Sequence, residues 1–434
     1  MKTRDVVTLF LYARGRILLL LRSAGVKTLA GRWAGLSGGV HEGESPRDAA
    51  MREMEEEVGI GRADVRVRGQ GERLEVPDPP SGLIWRVDPF LATLPGMRPV
   101  RLDWEHAAYR WVAPEDLGRM RTVPGLPRTL GRLLGGIDPA TLAPWRGEID
   151  RILEDRSSGC SRLCAEGLDL MGRLAGAGDR TGARAIARLI GWGRPGMPGL
   201  ARVLEEAWDA APWDGGERDV ALYFRRSSEE SLDAPLAAGR RAAGAWRQGV
   251  RRSAAVRIAT LSASRAVEAA VASFAQERSG HVAVRVLESR PPGEGVGQAR
   301  RFAEMGISAS VYPDGAIFPL LEGVAWVVMG SDGVFSDGSA VNKTGSRPLA
   351  LAARSLGIPV WVVAQEAKRL RTRREDELFQ GEEGAPGEFL PEGAGGLAAV
   401  NPSFEIVPSD LISAIVTESA VRMHGTGAAE GKSI

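Results

Sequence analysis

Cysteine, histidine and tyrosine are scarce in this chain: its 434 residues include 2 Cys, 4 His and 4 Tyr. Two cysteines cannot build a disulfide framework, which points to a reducing, cytoplasmic home. Cys160 and Cys164 stand at i and i+4 in a helical stretch with no histidine nearby, so a paired metal site is not expected there. His41, His106, His281 and His424 are far apart in sequence, offer no zinc-protease spacing, and read as mostly surface or incidental. Charge of one sign is also lacking. A net charge of +1 gives no global pull toward nucleic acid or an anionic membrane, so no specific nucleic-acid partner is expected. Apolar runs fall far short of the ~20 residues a membrane-spanning helix needs, so no membrane partner is expected either. Met1-Lys2-Thr3-Arg4 leads directly into a strand pattern, with no targeting segment expected.

What remains is ordinary globular material. Hydrophobic residues make up 44% and charged residues 26%, and the length allows two or three domains at roughly 150 residues each. The most informative stretch is 38–60. Ser45 is a good N-cap, Pro46 suits the first helical position, Asp48 completes a capping pattern, and Gly59 is a natural stop. On the helix between them Glu53, Glu56 and Glu57 fall on one face, while Met51, Met54 and Val58 fall on another. Like charges at this spacing repel by roughly 0.2–0.5 kcal/mol per pair, and such a cluster is ordinarily a solvated face. Two features argue for a site instead. Arg52 sits inside the cluster, and Ser37-Gly38-Gly39 lies directly ahead of the helix, where backbone atoms can approach a phosphate or a hard cation.

The skeleton Gly38, Glu44, Arg52-Glu53, Glu56-Glu57, Gly59-Ile60 resembles the signature of the Nudix hydrolases at every defined position. The resemblance implies an α/β/α sandwich and Mg²⁺- or Mn²⁺-dependent cleavage of a nucleoside diphosphate-linked small molecule. It also implies that Glu53, Glu56, Glu57 and the Gly39 carbonyl hold metal, that Arg52 orients Glu53, and that Glu44 is an outer carboxylate. Strand patterns at 6–12, 16–21, 63–69 and 83–94, with a turn at 77–82, suit that fold. Glu105, just before a strand pattern at 109–112, is the candidate for a further ligand or general base, with an exposed loop carboxylate as the equal alternative.

Gly135-Gly136-Ile137-Asp138-Pro139 is a plausible boundary. Residues 145–250 are periodically helical. Beyond them short β-branched runs at 256–260, 282–287, 309–311, 324–329 and 360–363 alternate with helical patterns, which argues for a parallel sheet covered on both faces. The expected organisation is therefore 1–137, a helical subdomain at 145–250, and a Rossmann-like parallel-sheet domain at 251–424, an α/β fold throughout. The second region resembles the regulatory subunits of translation initiation factor 2B and their sugar-phosphate isomerase relatives. The carrying residues are Glu288-Ser289-Arg290-Pro291, Pro313-Asp314, Gly330-Ser331-Asp332-Gly333, the run 337–345, Leu356-Gly357-Ile358-Pro359-Val360, Asn401-Pro402-Ser403-Phe404-Glu405 and Ile415-Val416-Thr417-Glu418.

That resemblance implies a sugar-phosphate or nucleotide site with Arg290, Asp332, Asn342 and Lys343, and it admits a homo-oligomer. The isomerase relatives use a cysteine and an aspartate. Asp332 keeps the aspartate, but Ser262 stands at the cysteine position, and Cys160 and Cys164 in the helical region are not expected to substitute. The expectation is binding without isomerisation. A metabolite-sensing regulator and a bifunctional isomerase are the alternatives, and a translation factor rests on analogy alone. The basic run 368–374 reads as a solvated loop beside 375–377. The tail 426–433 lacks the first glycine of a phosphate loop and reads as unstructured.

Overall fold

The computed structural model describes residues 2–249, 255–276, 278, 281–372, 379–391, 397 and 399–424. The tail 426–433 and residues 373–377 lie outside them. The chain divides into two compact units, 1–154 with 169–195 and 207–224, and 155–168 with 196–206 and 225–434. The helical stretch 145–250 is thus shared between the units.

In the first unit the apolar run 7–13 is buried and forms the second half of strand β1 (Lys2–Ala13). Arg14 (φ 48°) and Gly15 (φ 77°) both adopt the left-handed conformation, which is what a two-residue hairpin requires, and return the chain as β2 (Arg16–Arg22). Strands β3 (Trp33–Ala34) and β4 (Leu36–Gly39) follow, then helix α1 (Pro46–Val58). Next come β5 (Arg66–Gln70), β6 (Leu74–Asp78), β7 (Leu83–Thr93), β8 (His106–Val112) and helix α2 (Leu126–Leu133). The sheet runs β3-β2-β1-β7-β5, with β4 on β1, β6 on β7 and β8 on β2. The central pair β1–β7 is parallel.

The turn expected at 77–82 begins later than the composition suggests. Val76, Pro77 and Asp78 pair with β7 in register Val76↔Trp85 and Asp78↔Leu83. β6 pairs only with β7 and is an edge strand, so the missing N–H of the exposed Pro77 costs no ladder bond. Helix α3 (Arg146–Glu154) is tied to the β1–β2 hairpin, with Arg146 donating to the Gly15 carbonyl (3.0 Å) and Arg16 paired with Asp150 (3.1 Å). The remaining helices before the second sheet are α4 (Cys160–Gly176), α5 (Arg180–Gly193), α6 (Pro198–Ala210) and α7 (Glu217–Gly249). Tyr12 Oη donates to the Leu189 carbonyl at 2.8 Å, which fixes α5 against β1.

The second unit carries the parallel sheet. Its elements are β9 (Val256–Leu261), α8 (Arg265–Ala275), β10 (Val282–Leu287), α9 (Glu294–Glu304), β11 (Ser308–Tyr312), α10 (Ile317–Leu321) and β12 (Trp326–Met329). They continue as β13 (Gly333–Val334), β14 (Ala340–Lys343), α11 (Ser346–Ser355), β15 (Val360–Val363), β16 (Phe404–Val407), β17 (Ala414–Val416) and β18 (Val421–Met423). The order is β11-β10-β9-β12-β15-β17-β18, parallel except for the last pair, and β13-β14-β16 form a small antiparallel sheet. Within this unit Trp246 stacks against Trp326 and Phe274 (ring centroids 5.3 and 5.8 Å), which seats the end of α7 on the sheet. Strand order reverses between β9 and β12, and in open parallel sheets the crevice beyond the strand ends at such a point is where ligands bind.

The C-terminal hairpin is pinned by Glu366. Partial burial pushes its carboxyl up, but donors from Arg422 (3.1 Å), Thr417 (2.8 Å), Arg369 (2.9 Å) and Ser419 (3.1 Å) outweigh this and hold its pKa down to about 2. A depressed folded pKa contributes stability above the ordinary value of 4.5 that is lost as pH falls toward 2. Glu366→Gln is therefore expected to melt below the wild type at neutral pH, with the gap closing between pH 4.5 and 2 in a series of thermal melts. A gap independent of pH would remove Glu366 as the source.

Candidate functional site

Helix α1 starts and stops as its sequence predicts. Ser45 Oγ accepts from Asp48 N (3.1 Å), and Gly59 closes the helix with φ 67°, its N–H donating to the Glu55 carbonyl (3.1 Å). Strand β4 presents Gly38 and Gly39 beside the helix, paired with Val7 and Val6 of β1. A Cβ at Gly38 would fall on the carboxylate of Glu53, so any side chain there would displace that carboxylate from its place against Arg52. Arg52 is the hub. It donates to Glu44 Oε1 and Oε2 (3.0 and 3.1 Å), Glu53 Oε1 (2.6 Å), Glu56 Oε2 (3.3 Å) and the Gly39 carbonyl (3.0 Å).

Electrostatically the three helix carboxylates differ. Glu56 is exposed. Burial raises Glu53, and Arg52 only partly offsets it. Glu57 is buried, as are Met54 and Val58, one oxygen taking Ser37 N (3.4 Å) and the other, Oε2, finding no partner among the described residues. Burial, then the neighbouring Glu53 charge, pushes Glu57 well above the usual carboxylate range. Glu44 goes the other way, held down to about 2 by the Arg52 hydrogen bonds. Of the carboxylates that share this helical face, Glu56 is solvated while α1 turns Glu57 inward toward the sheet.

Glu105 lies in the loop before β8 and lines a cleft of about 360 Å³ that also includes Gly38, Gly39, Trp85 and Asp78. The same loop brings in Asp103, a residue that sequence reasoning missed. Its N–H donates to the Glu57 carbonyl (3.2 Å), and its Oδ1 accepts from Glu105 N (3.1 Å). Its signal was the short spacing of Asp103, Glu105 and His106. His106 was expected at the surface, yet it is buried and sits 2.8 Å from Asp103 Oδ1, because β8 turns it under the loop that carries Glu105.

As they stand, no three acidic, histidine or cysteine side chains among the described residues form a ligating group. Arg52 takes up Glu53, Glu56 and the Gly39 carbonyl. The orphaned Oε2 of Glu57, buried next to Glu53, nevertheless suits a divalent cation. A hard cation would satisfy that oxygen and offset the like charge of the pair.

In the second unit the strand ends gather another cluster. Ser262, just past β9, has φ 57°; its N–H donates to Ser289 Oγ (2.7 Å) and its Oγ to Glu294 Oε1 (3.2 Å). The same Glu294 oxygen pairs with Lys343 Nζ (3.0 Å). Arg290 is exposed and pairs with Glu288 (3.4 Å). Asn342 is buried and donates to Ser346 Oγ (2.9 Å), so part of its hydrogen bonding is spent at the start of α11. Lys343, Glu294 and Ser262 therefore meet, a conjunction of β14, α9 and β9 that spacing alone did not reveal.

Asp332 lies beside a buried lysine. Lys368, expected on a solvated loop, is buried, donates to the Ser331 carbonyl (3.2 Å), and stays charged because Cys160 and Asp332 outweigh its burial. Cys160 and Cys164 (Sγ–Sγ 3.8 Å) belong to the same cluster, and the Cys160 bond and burial raise Cys164. The two cysteines of the helical region, not expected to substitute for the missing one, thus lie in the electrostatic reach of Asp332 and Lys368, and α4 begins beside the loop that follows β9.

Residues 1–132 match the NUDIX domain and residues 242–422 match the Initiation factor 2 subunit family. The chain is therefore a Nudix domain followed by a domain of the initiation factor 2 subunit type. It is 35% identical over 145 residues to the ribose 1,5-bisphosphate isomerase of Haloterrigena turkmenica, covering 31% of this chain and 44% of that protein. Against the methylthioribose-1-phosphate isomerase of Stenotrophomonas maltophilia it is 36% identical over 128 residues, 28% of this chain and 36% of the relative. The chain spans less than half the length of these relatives. The solved translation initiation factor eIF-2B of Pyrococcus horikoshii shares the fold, with TM-score 0.54 and 22% identity over 64% of this chain and 96% of that one.

Proposed function

We propose that the N-terminal domain is a Mg²⁺- or Mn²⁺-dependent pyrophosphohydrolase for a nucleoside diphosphate-linked small molecule, ADP-ribose or another nucleotide sugar. The C-terminal domain, in the same reading, binds a sugar phosphate or nucleotide. The observation that carries the hydrolase is the pair of half-buried Glu53 and buried Glu57, with one carboxylate oxygen of Glu57 orphaned among the described residues, beside a side-chain-free strand end that lines a cleft. Glu53, Glu56, Glu57 and the Gly39 carbonyl would hold the metal, which when bound supplies charge neutralisation at the diphosphate and a more acidic water. Arg52 holds Glu44 and Glu53 in fixed rotamers by its forked hydrogen bonds. Glu105, at the cleft, accepts the proton of the attacking water. Gly38 and Gly39 let the diphosphate approach the backbone.

The fusion motivates the sugar substrate. Cleaving ADP-ribose yields a ribose phosphate, and the second domain is similar over part of its length to isomerases named for ribose phosphates. An intact acidic set favours turnover over a purely sensing role. A second reading, isomerisation at the C-terminal domain, is favoured by Cys160 and Lys368 beside Asp332. The test is a screen of the full chain with Mg²⁺ against nucleoside triphosphates, nucleotide sugars, ADP-ribose and dinucleotides, read by nucleotide and phosphate release. Release of AMP from ADP-ribose is the expected result, and a strong preference for nucleoside triphosphates would overturn the substrate assignment.

A further inference from the structure

The cleft beside α1 holds a feature that the hydrolytic chemistry does not use. Register Val76↔Trp85 places Val76 and Trp85 on one face of the β6–β7 hairpin, and Asp78, two residues on from Val76, shares that face. All three line the cleft, with Val87 and Leu126. Asp78 is buried, and its Oδ2 accepts from Ser81 Oγ (2.6 Å) and Trp85 Nε1 (3.3 Å). Two donors fill the lone pairs of that oxygen. Oδ1 accepts from no donor among the described residues, and because Ser81 and Trp85 hold the carboxylate it cannot turn away.

We infer that Trp85 and Asp78 form a base subsite that selects nucleotides whose base carries an exocyclic amino group. The inference rests on the hydrolase reading of the same cleft and narrows its substrate class. An apolar slot with an indole wall suits a flat heteroaromatic ring. The fixed acceptor beside that indole asks the ring for a donor. Adenine, guanine and cytosine offer an amino group. Uracil and thymine offer one N–H flanked by two carbonyl oxygens, which would face the carboxylate and repel it.

The test compares kcat/KM for ADP-glucose and UDP-glucose, which differ only in the base. The wild-type chain is expected to favour ADP-glucose by about tenfold or more, the cost of setting an acceptor against a buried acceptor. Asp78→Asn, whose amide can donate to a uracil carbonyl, is expected to bring the two substrates within about threefold. Trp85→Phe keeps a ring but removes one donor that holds Asp78, and should lower the preference partway; it also serves if Asp78→Asn does not fold. Calorimetric titration of AMP and UMP into the full-length wild type and Trp85→Phe reads the subsite without catalysis. If no diphosphate is cleaved yet AMP binds better than UMP and Trp85→Phe erodes the difference, the hydrolase reading fails and the subsite stands. Equal or better turnover of UDP-glucose by the wild type, or a preference that neither variant moves, overturns the subsite.

Discussion

Replacing Glu57 by Gln is expected to lower metal-dependent hydrolysis by more than about a hundredfold, since loss of even an outer-shell partner of a metal ligand costs 10–100-fold. The substitution keeps the shape of the side chain and its contact with Ser37. It removes the negative charge, and with it the buried carboxylate oxygen that has no partner among the described residues. The fold is expected to hold or gain, because a neutral amide at this position ends the repulsion with Glu53 that helps push the Glu57 carboxyl up. Thermal melts run beside the kinetics separate the two effects. Undiminished kcat/KM in a well-folded Glu57→Gln chain would take this residue, and the acidic helix with it, out of the chemistry.

The second large effect is expected in the other unit. Arg290→Ala should weaken binding of ribose phosphates by roughly 10–100-fold, the range for one lost charge-assisted hydrogen-bond partner. The loop itself should survive. Its backbone is held by Asp314, which accepts from Ser289 N (2.8 Å) and Arg290 N (2.6 Å), and neither bond involves the Arg290 side chain. The side chain is largely exposed and pairs with Glu288 at 3.4 Å, so its fork is available to a phosphate. The unmodified protein is expected to bind without interconverting aldose and ketose. Ser262 has a carboxylate at 3.2 Å, but the same oxygen is already paired with Lys343 Nζ at 3.0 Å. Calorimetry for binding and a coupled assay for ketose formation check both parts. Measurable isomerisation, lost in Cys160→Ser, would instead put the chemistry at the Cys160–Lys368–Asp332 cluster.

Much of this protein was legible in the sequence by itself. Period and capping located α1 between Ser45 and Gly59, because helix ends are decided by local backbone chemistry. Alternating β-branched and helical runs gave the parallel sheet after 255, because strands buried on both faces need continuous apolar stretches. The signature of the acidic helix and the motifs from 288 to 418 pointed to two families because they are dense and local. What only the tertiary structure decided is which charges share a low-dielectric neighbourhood. Glu57 is buried and Glu56 exposed on the same helical face because the sheet covers one side of α1 and not the other. Asp103 and His106 belong under the Glu57 turn because the loop before β8 folds back on the helix end. Lys368, Cys160 and Asp332 meet from three distant segments, and Glu294 reaches both Ser262 and Lys343. Spacing along a chain records neighbours within a turn or a strand, whereas burial and charge pairing depend on which faces the packing of separate elements brings together.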